Sequence, residues 1–257
     1  MYHDVVSAPC FDPHAPTWIH KSNFLCAYTF AELLGSFRTT YEDRSERITV
    51  FDRQGGSQLF SESFADPSGR LKIADFFSKT CGRRLKLMEG LDSTHHHFGN
   101  TPAGFKASGD SRVIHIVNLD TVSMLSTAAN VPLHASRFRP NLVVEGIPPW
   151  EEFSWVGKMV KIGGVTLRIL GRTVRCEATN YDARNGSGKE DYNVPGLLTK
   201  HFPQHGPYLG VYAQVVKGGT LTAGDDVILL PPPPKYPQFF LNTACIALLV
   251  IALSRIS

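Results

Sequence analysis

A chain of 257 residues with 42% hydrophobic and 19% charged residues carries enough apolar side chain for one large or two small cored domains, and too little charge for a disordered polymer. A net charge of +3 with no long basic run gives no case for nucleic acid, and Arg83-Arg84-Leu85-Lys86 reads as a solvated helix exit. Cys10, Cys26, Cys81, Cys176 and Cys245 form no CxxC pair, which speaks against a disulfide framework or a structural zinc site and fits a reducing, cytoplasmic compartment.

Met1 to Pro16 lacks the basic stretch and apolar core of a secretory leader. The first predicted elements are a hairpin, Arg47 to Phe51 and Gln58 to Phe60, turned at Gly55-Gly56. Asp66-Pro67-Ser68-Gly69 opens a helix that places Leu71, Ala74 and Phe77 on one face and stops at Gly82. Residues 92–112, rich in Gly, Ser, Thr, Asn and His, read as a loop between two units. His95-His96-His97 within it is a polar loop and not a chelate, because adjacent histidines on extended chain point alternately.

A buried strand at Val113 to Val117 follows, with His115 read as a satisfied core histidine. Next come a helix with Leu119, Val122 and Leu125 on one face, ending near Asn130, and a strand from Leu142 to Glu145. Val160 and Ile162 alternate, Gly163-Gly164 turns the chain, and Val165, Leu167 and Ile169 alternate back, which predicts a half-buried hairpin. Alternation at Leu209, Val211, Ala213 and Val215, then Val227 to Leu230, gives two further strands. The fold class expected is mainly β with a few helices (α+β).

Beyond Leu230, Pro231 to Pro234 is extended and Phe239 to Leu253 is an apolar run. That run is shorter than the roughly 17 to 25 residues of a bilayer span. It admits three readings: a short membrane anchor, a helix docked on the core, or sequence acquired by a frame change or gene-model error.

Chemistry concentrates at Cys176, in Arg172-Thr173-Val174-Arg175-Cys176-Glu177-Ala178-Thr179-Asn180-Tyr181-Asp182. The run places a thiol at a strand end, beside a guanidinium and before the polar loop Asn185-Gly186-Ser187-Gly188. A neighbouring cation favours the thiolate, the form that attacks electrophiles and binds soft metals. The competing reading is a small structural cysteine.

Three further runs accompany it: Arg137-Phe138-Arg139-Pro140-Asn141 through Gly146; Pro149-Trp150-Glu151-Glu152 with Trp155; and Gly210-Val211-Tyr212-Ala213-Gln214 through Gly218-Gly219 and Gly224-Asp225. In this order and spacing the chain resembles the MOSC domain family, named from the C-terminal part of molybdenum cofactor sulfurase. The family includes bacterial stand-alone proteins and the mitochondrial amidoxime-reducing component. The resemblance covers about residues 105–230, preceded by the loop 92–112 and followed by the segment 231–257. It extends more weakly through 1–91, where Trp18-Ile19-His20-Lys21-Ser22-Asn23-Phe24-Leu25 is similar to the later part of the β-barrel domain that precedes MOSC.

The resemblance implies a MOSC-type β-barrel and molybdenum cofactor (molybdopterin), with Cys176 as catalytic residue and metal ligand. It implies cofactor contacts from Arg139, Asn141, Arg175, Tyr212 and Ser111, the last at the phosphate; for Tyr212, which alternates with Val211 and Ala213, the alternative is a side chain facing solvent. For Arg137 and Arg139 the alternative is a surface salt bridge or packing of their stems, and Arg137 is the more structural of the two. Asp182 and Asp191 orient loops beside the cysteine. One departure stands out: the family's opening strand with its Lys-Ser run has no counterpart here, so part of the barrel and of the anion grip is expected to be missing. A partial barrel leaves an unpaired strand edge.

The expected activity is an oxidoreductase that transfers an oxygen atom or reduces N-hydroxylated small molecules, with electrons from a separate protein. The alternatives are a sulfur-carrier or cofactor-handling module with a Cys176 persulfide and a separate sulfur donor, or an inactive fragment. No pyridoxal-phosphate lysine context is present, and membrane contact is expected only through residues 239–253.

Overall fold

The structure, a computed structural model, describes residues 2–3, 21–27, 29–87, 113–182, 184 and 189–231. Ser111, the three adjacent histidines, the loop 92–112 and the apolar tail lie outside the described residues. Among the described residues no helix is long and apolar enough to cross a membrane.

In the first unit β1 (Tyr2–His3) pairs with β5 (Leu85–Lys86), and α1 (Ala31–Gly35) leads into an antiparallel sheet of β2 (Phe37–Glu42), β3 (Arg47–Asp52) and β4 (Gln58–Ser63). β3 and β4 are the predicted hairpin; β2 was not read from the sequence. α2 (Pro67–Cys81) covers the sheet. Asp66 caps it by accepting from Ser68 N at 3.0 Å, Pro67 takes the first turn, and Gly82 ends it at φ 67°. The predicted face holds at Phe77, which is buried, and at Ala74, which is half-buried, but not at Leu71. Gly69, Ile73 and Phe77 point inward, while Leu71 is 74% exposed. The reason is close packing at Gly69: a Cβ there would stand 2.2 Å from Ser63 O of β4.

The second unit is a six-stranded sheet ordered β11-β8-β9-β10-β6-β7. Its strands are β6 (Ile114–Asn118), β7 (Leu142–Val144), β8 (Met159–Ile162), β9 (Val165–Val174), β10 (Tyr208–Lys217) and β11 (Val227–Leu229). β6 and β7 run parallel and every other pair antiparallel. A parallel pair needs a crossover, which α3 (Leu119–Ala129) supplies. Asn118 caps α3 by accepting from Asp120 N at 3.0 Å, and Asn130 closes it at φ 53°. α4 (Val194–His201), not read from the sequence, packs beside α3 through Val194 and Leu198.

Three register shifts along β9 and β10 break the ladder. Such bulges raise local twist, and the sheet curls into a partly closed half-barrel. Its inner face holds Ile116, Val160, Leu167, Ile169, Val211 and Ala213, all fully buried. Beneath the loop before β8, the buried Glu152 accepts from Asn118 Nδ2 and Thr121 Oγ1, each at 3.1 Å. The fold is thus mixed α/β, and among the described residues the sheet is a partly closed half-barrel rather than the full barrel expected from the sequence.

Candidate functional site

The long strand β9 delivers Arg175 and Cys176 at its C-terminal end. Arg175 N donates to Pro207 O at 2.7 Å, which holds the strand exit against the start of β10. Cys176, half-buried, then heads a 3-10 turn, Glu177–Asn180. Its carbonyl accepts from Thr179 N at 3.0 Å and from Thr179 Oγ1 at 2.8 Å. The turn is anchored beyond its end by Asn180, whose Oδ1 accepts from Val194 N at 2.9 Å. The thiol therefore sits on a turn tied to both β10 and α4.

Arg175 is buried, and its guanidinium faces inward. Nε donates to Leu209 O at 2.8 Å, Nη1 to Phe138 O at 3.3 Å, and Nη2 to Leu209 O and to His115 Nε2. Among the described residues no carboxylate reaches it. Burial pulls its pKa down to about 9, with the Tyr212 and Cys176 side chains opposing the shift. A guanidinium only donates, so His115 Nε2 must accept, and the ring proton lies on Nδ1, which donates to Arg139 O at 3.4 Å. Burial first, then Arg175, drive the pKa of His115 down to about 3. His115 is neutral at physiological pH and satisfied at both nitrogens, the core role read for it from the sequence.

Arg137 and Arg139 leave one short 3-10 turn, Ala135–Phe138, in opposite senses. Arg139 takes the left-handed conformation at φ 52°, an uncommon one for a residue with a Cβ. Arg137 is wholly buried and gives both Nη groups to the Asp191 carboxylate at 2.6 Å. It also donates to Thr179 O at 3.1 Å and lies 3.6 Å from Asp182. Asp182 in turn is held by Arg184, whose hydrogen bonds draw its pKa down to about 2. Arg139 stays exposed, with Nη1 on Ala178 O at 2.9 Å and on Arg137 O at 3.2 Å. Both arginines thus grip the turn that follows Cys176.

The residues named from the sequence fall around this turn. Arg139 and Arg175 are each within electrostatic reach of Cys176. Tyr212 is also within reach, with its ring 5.7 Å from that of His115. Burial raises the Tyr212 phenol, opposed by Arg175 and reinforced by Cys176. Asn141 lies one step away: its Oδ1 accepts from His115 N at 2.8 Å, so its NH₂ is the group left for a ligand. Gly210 is required beside them, since at φ 76° a Cβ would stand 2.5 Å from Ile116 O and 2.8 Å from His115 Nε2.

Two residues were missed by sequence reasoning: His115 as partner of Arg175, and Cys26, which lies within electrostatic reach of Arg139. No local signal connects positions 60 residues apart. A cavity of about 180 Å³, lined by Ala27, Ala31, Gly35, Arg139, Tyr181 and Asp182, lies between the first unit and the site. It shares Ala31 and Tyr181 with an outer cleft of about 910 Å³. Among the described residues no group of three His, Cys, Asp or Glu side chains converges as a metal cage.

Residues 93–228 match the protein family described as MOSC domain. Among curated proteins, the chain is 27% identical over 164 residues to mitochondrial amidoxime reducing component 2 of Rattus norvegicus, covering 61% of this chain and 46% of that protein. It is 25% identical over 162 residues to molybdenum cofactor sulfurase of Oryza sativa subsp. japonica, covering 56% and 18%. Over 126 residues it is 29% identical to the Bos taurus amidoxime reducing component 2, covering 46% and 37%. The chain thus spans less than half the length of each of these relatives. The crystal structure of YiiM from Geobacillus stearothermophilus aligns at 17% identity over 46% of this chain and 54% of that one, with a TM-score of 0.35, a likeness too slight to fix a fold.

Proposed function

The chain belongs to the MOSC domain family, and from that premise we propose that it binds molybdenum cofactor, with Cys176 as thiolate ligand to the metal. One observation carries this reading. A half-buried thiol lies within electrostatic reach of a buried guanidinium whose partners are all neutral and of an exposed guanidinium with part of its fork free. A buried cation without a counter-charge is costly, and an anionic ligand offsets that cost. Molybdenum cofactor offers such an anion in its dithiolene and phosphate, and a soft metal suited to sulfur. The residues present fit the group in this respect.

The division of labour follows from the hydrogen bonds. Arg175 supplies fixed positive charge, because its N–H groups are committed to Leu209 O, Phe138 O and His115. Arg139 supplies the fork: Nε and Nη2 have no protein partner among the described residues and are assigned to the pterin or phosphate edge. Asn141 adds its NH₂, Tyr212 its phenol, and Ser111 is assigned to the phosphate. When bound, the cofactor supplies oxygen-atom transfer or reduction of an N-hydroxylated substrate at the metal. The cavity beside Arg139 and the outer cleft provide the path for a small molecule. Electrons come from a separate protein, and the domain layout follows the sequence reading, with 1–91 as a partial N-terminal β-barrel region.

The likeness to a molybdenum cofactor sulfurase favours one second reading, a sulfur-handling module in which Cys176 carries a persulfide. Elemental analysis of purified protein separates the two. Stoichiometric molybdenum that falls to background in Cys176→Ser supports the ligand assignment. Sulfur released by cyanide from Cys176, without metal, replaces it with the second reading. Molybdenum retained in the serine variant refutes Cys176 as the ligand.

A further inference from the structure

The described strands of the second unit stop short of closing. Among the described residues β11 is hydrogen-bonded to β8 alone and β7 to β6 alone. Between these two edges lies a cleft of about 800 Å³, with an apolar wall of Leu142, Val144, Ile147, Ile162, Leu221 and Val227. Leu230 N donates to Met159 O at 2.9 Å, so in this antiparallel pair Ile228 and Leu230 face β8. The N–H and C=O groups of Val227 and Leu229 therefore point away from β8 and find no strand among the described residues. An open edge beside an apolar wall is a template for an added strand.

The rim of the cleft selects the strand's charge. Glu145, Asp225 and Asp226 line it, with no lysine, arginine or histidine among the described lining residues. Asp225 is engaged with Thr222 N at 2.7 Å, while Glu145 and Asp226 are exposed. A second copy of this chain would bring the same carboxylates face to face, which disfavours self-pairing. A strand with basic residues on one face and apolar residues on the other satisfies edge, wall and rim together.

We propose that this seam is a docking site for an extended basic segment of a partner protein, added as a strand along β11. Its apolar side chains enter the cleft and its lysines or arginines meet Glu145 and Asp226. The proposal is independent of cofactor binding, because none of the residues assigned to the cofactor lines the seam.

The test uses the full chain and a fluorescein-labelled peptide of alternating lysine and valine, followed by anisotropy at physiological salt. Saturable binding is expected, with slowed hydrogen exchange at the Val227 and Leu229 amides. Methylating alternate peptide nitrogens removes ladder donors and should weaken binding about tenfold. The double variant Glu145→Lys with Asp226→Lys should weaken it by a similar factor, about tenfold, with an unchanged circular dichroism spectrum. Absence of saturable binding overturns the proposal. So does equal binding of the methylated peptide or of a glutamate–valine peptide, or a dimer in sedimentation that excess peptide leaves intact.

Discussion

Arg137→Met tests whether the buried guanidinium is what holds the Cys176 turn. Methionine roughly keeps the volume of the stem and removes two 2.6 Å bonds to Asp191, the 3.1 Å bond to Thr179 O and the charge near Asp182. Breaking a buried ion pair costs about 3–5 kcal/mol, because a charge is left without its partner. Here the lower end applies. The Asp191 side chain is 27% exposed and can rehydrate, and Asp182 keeps Arg184. The expected loss is about 3 kcal/mol in urea unfolding. Arg137→Lys should recover less than half of it, since an ammonium cannot serve both carboxylate oxygens and Thr179 O at once. Asp191→Asn combined with Arg137→Met should show a coupling of about 2 kcal/mol. Mass spectrometry of native protein should also find Cys176 alkylated several-fold faster in Arg137→Met, as the turn loosens. A loss below about 0.5 kcal/mol, or additive single and double variants, would refute the argument.

Arg139→Lys should weaken cofactor retention by at least about 1 kcal/mol, because it keeps the charge and loses the fork; a dialysis series that ranks Arg137→Lys as the weaker binder overturns that choice of arginine. His115 titrates in the folded protein near 3, below its ordinary 6.5, so the unfolded chain takes the proton first. Its contribution to stability is complete above about pH 6.5 and is lost as the pH falls toward 3, reaching about 2 kcal/mol by pH 5. His115→Gln keeps an acceptor for Arg175 and should lose that much less between pH 7 and pH 5 in denaturant titrations; parallel curves for parent and variant would remove His115 from the account. Gly210→Ala places a methyl 2.5 Å from Ile116 O at a positive φ and should cost more than about 1 kcal/mol, whereas Gly56→Ala, with open space around it, should pay only the φ cost of about 1 kcal/mol. Melting temperatures of the two variants check the ordering.

The sequence made the second sheet legible where one face is buried and the other is not. Val160, Ile162, Val165, Leu167 and Ile169 alternate in the chain and line the core in the structure, with Gly163 turning the hairpin at φ 51°. β2 escaped because only Phe37 is buried in it; Arg38 to Glu42 face solvent, and an exposed edge strand carries no apolar period. α4 had a readable start, Asn193 before Val194-Pro195, with Asn193 Oδ1 accepting from Gly196 N at 3.0 Å. Its eight residues gave too short a window for periodicity to register. In α2 two stripes fit the helical period equally, and the choice between them was made by the backbone of β4 pressing on Gly69.

The arginines show where local reading ends. By position, Arg175 is next to Cys176 and looks like a fork that grips a ligand, while Arg137 reads as the more structural of the Arg137 and Arg139 pair. The fold commits the hydrogen bonds of both Arg175 and Arg137 to the protein itself. The acceptors that consume Arg175 come from Leu209, Phe138 and His115, between 34 and 60 residues away, and the carboxylate that pins Arg137 comes from Asp191, 54 residues away. Side-chain identity sets what a guanidinium is able to do, and tertiary partners set how much of that capacity remains. What remains to Arg175 is charge and what remains to Arg139 is geometry. Substitutions that separate the two, lysine against glutamine at each position, therefore probe different halves of the proposed anion site: at Arg175 the charge-keeping change should preserve more ligand affinity, and at Arg139 it should preserve little.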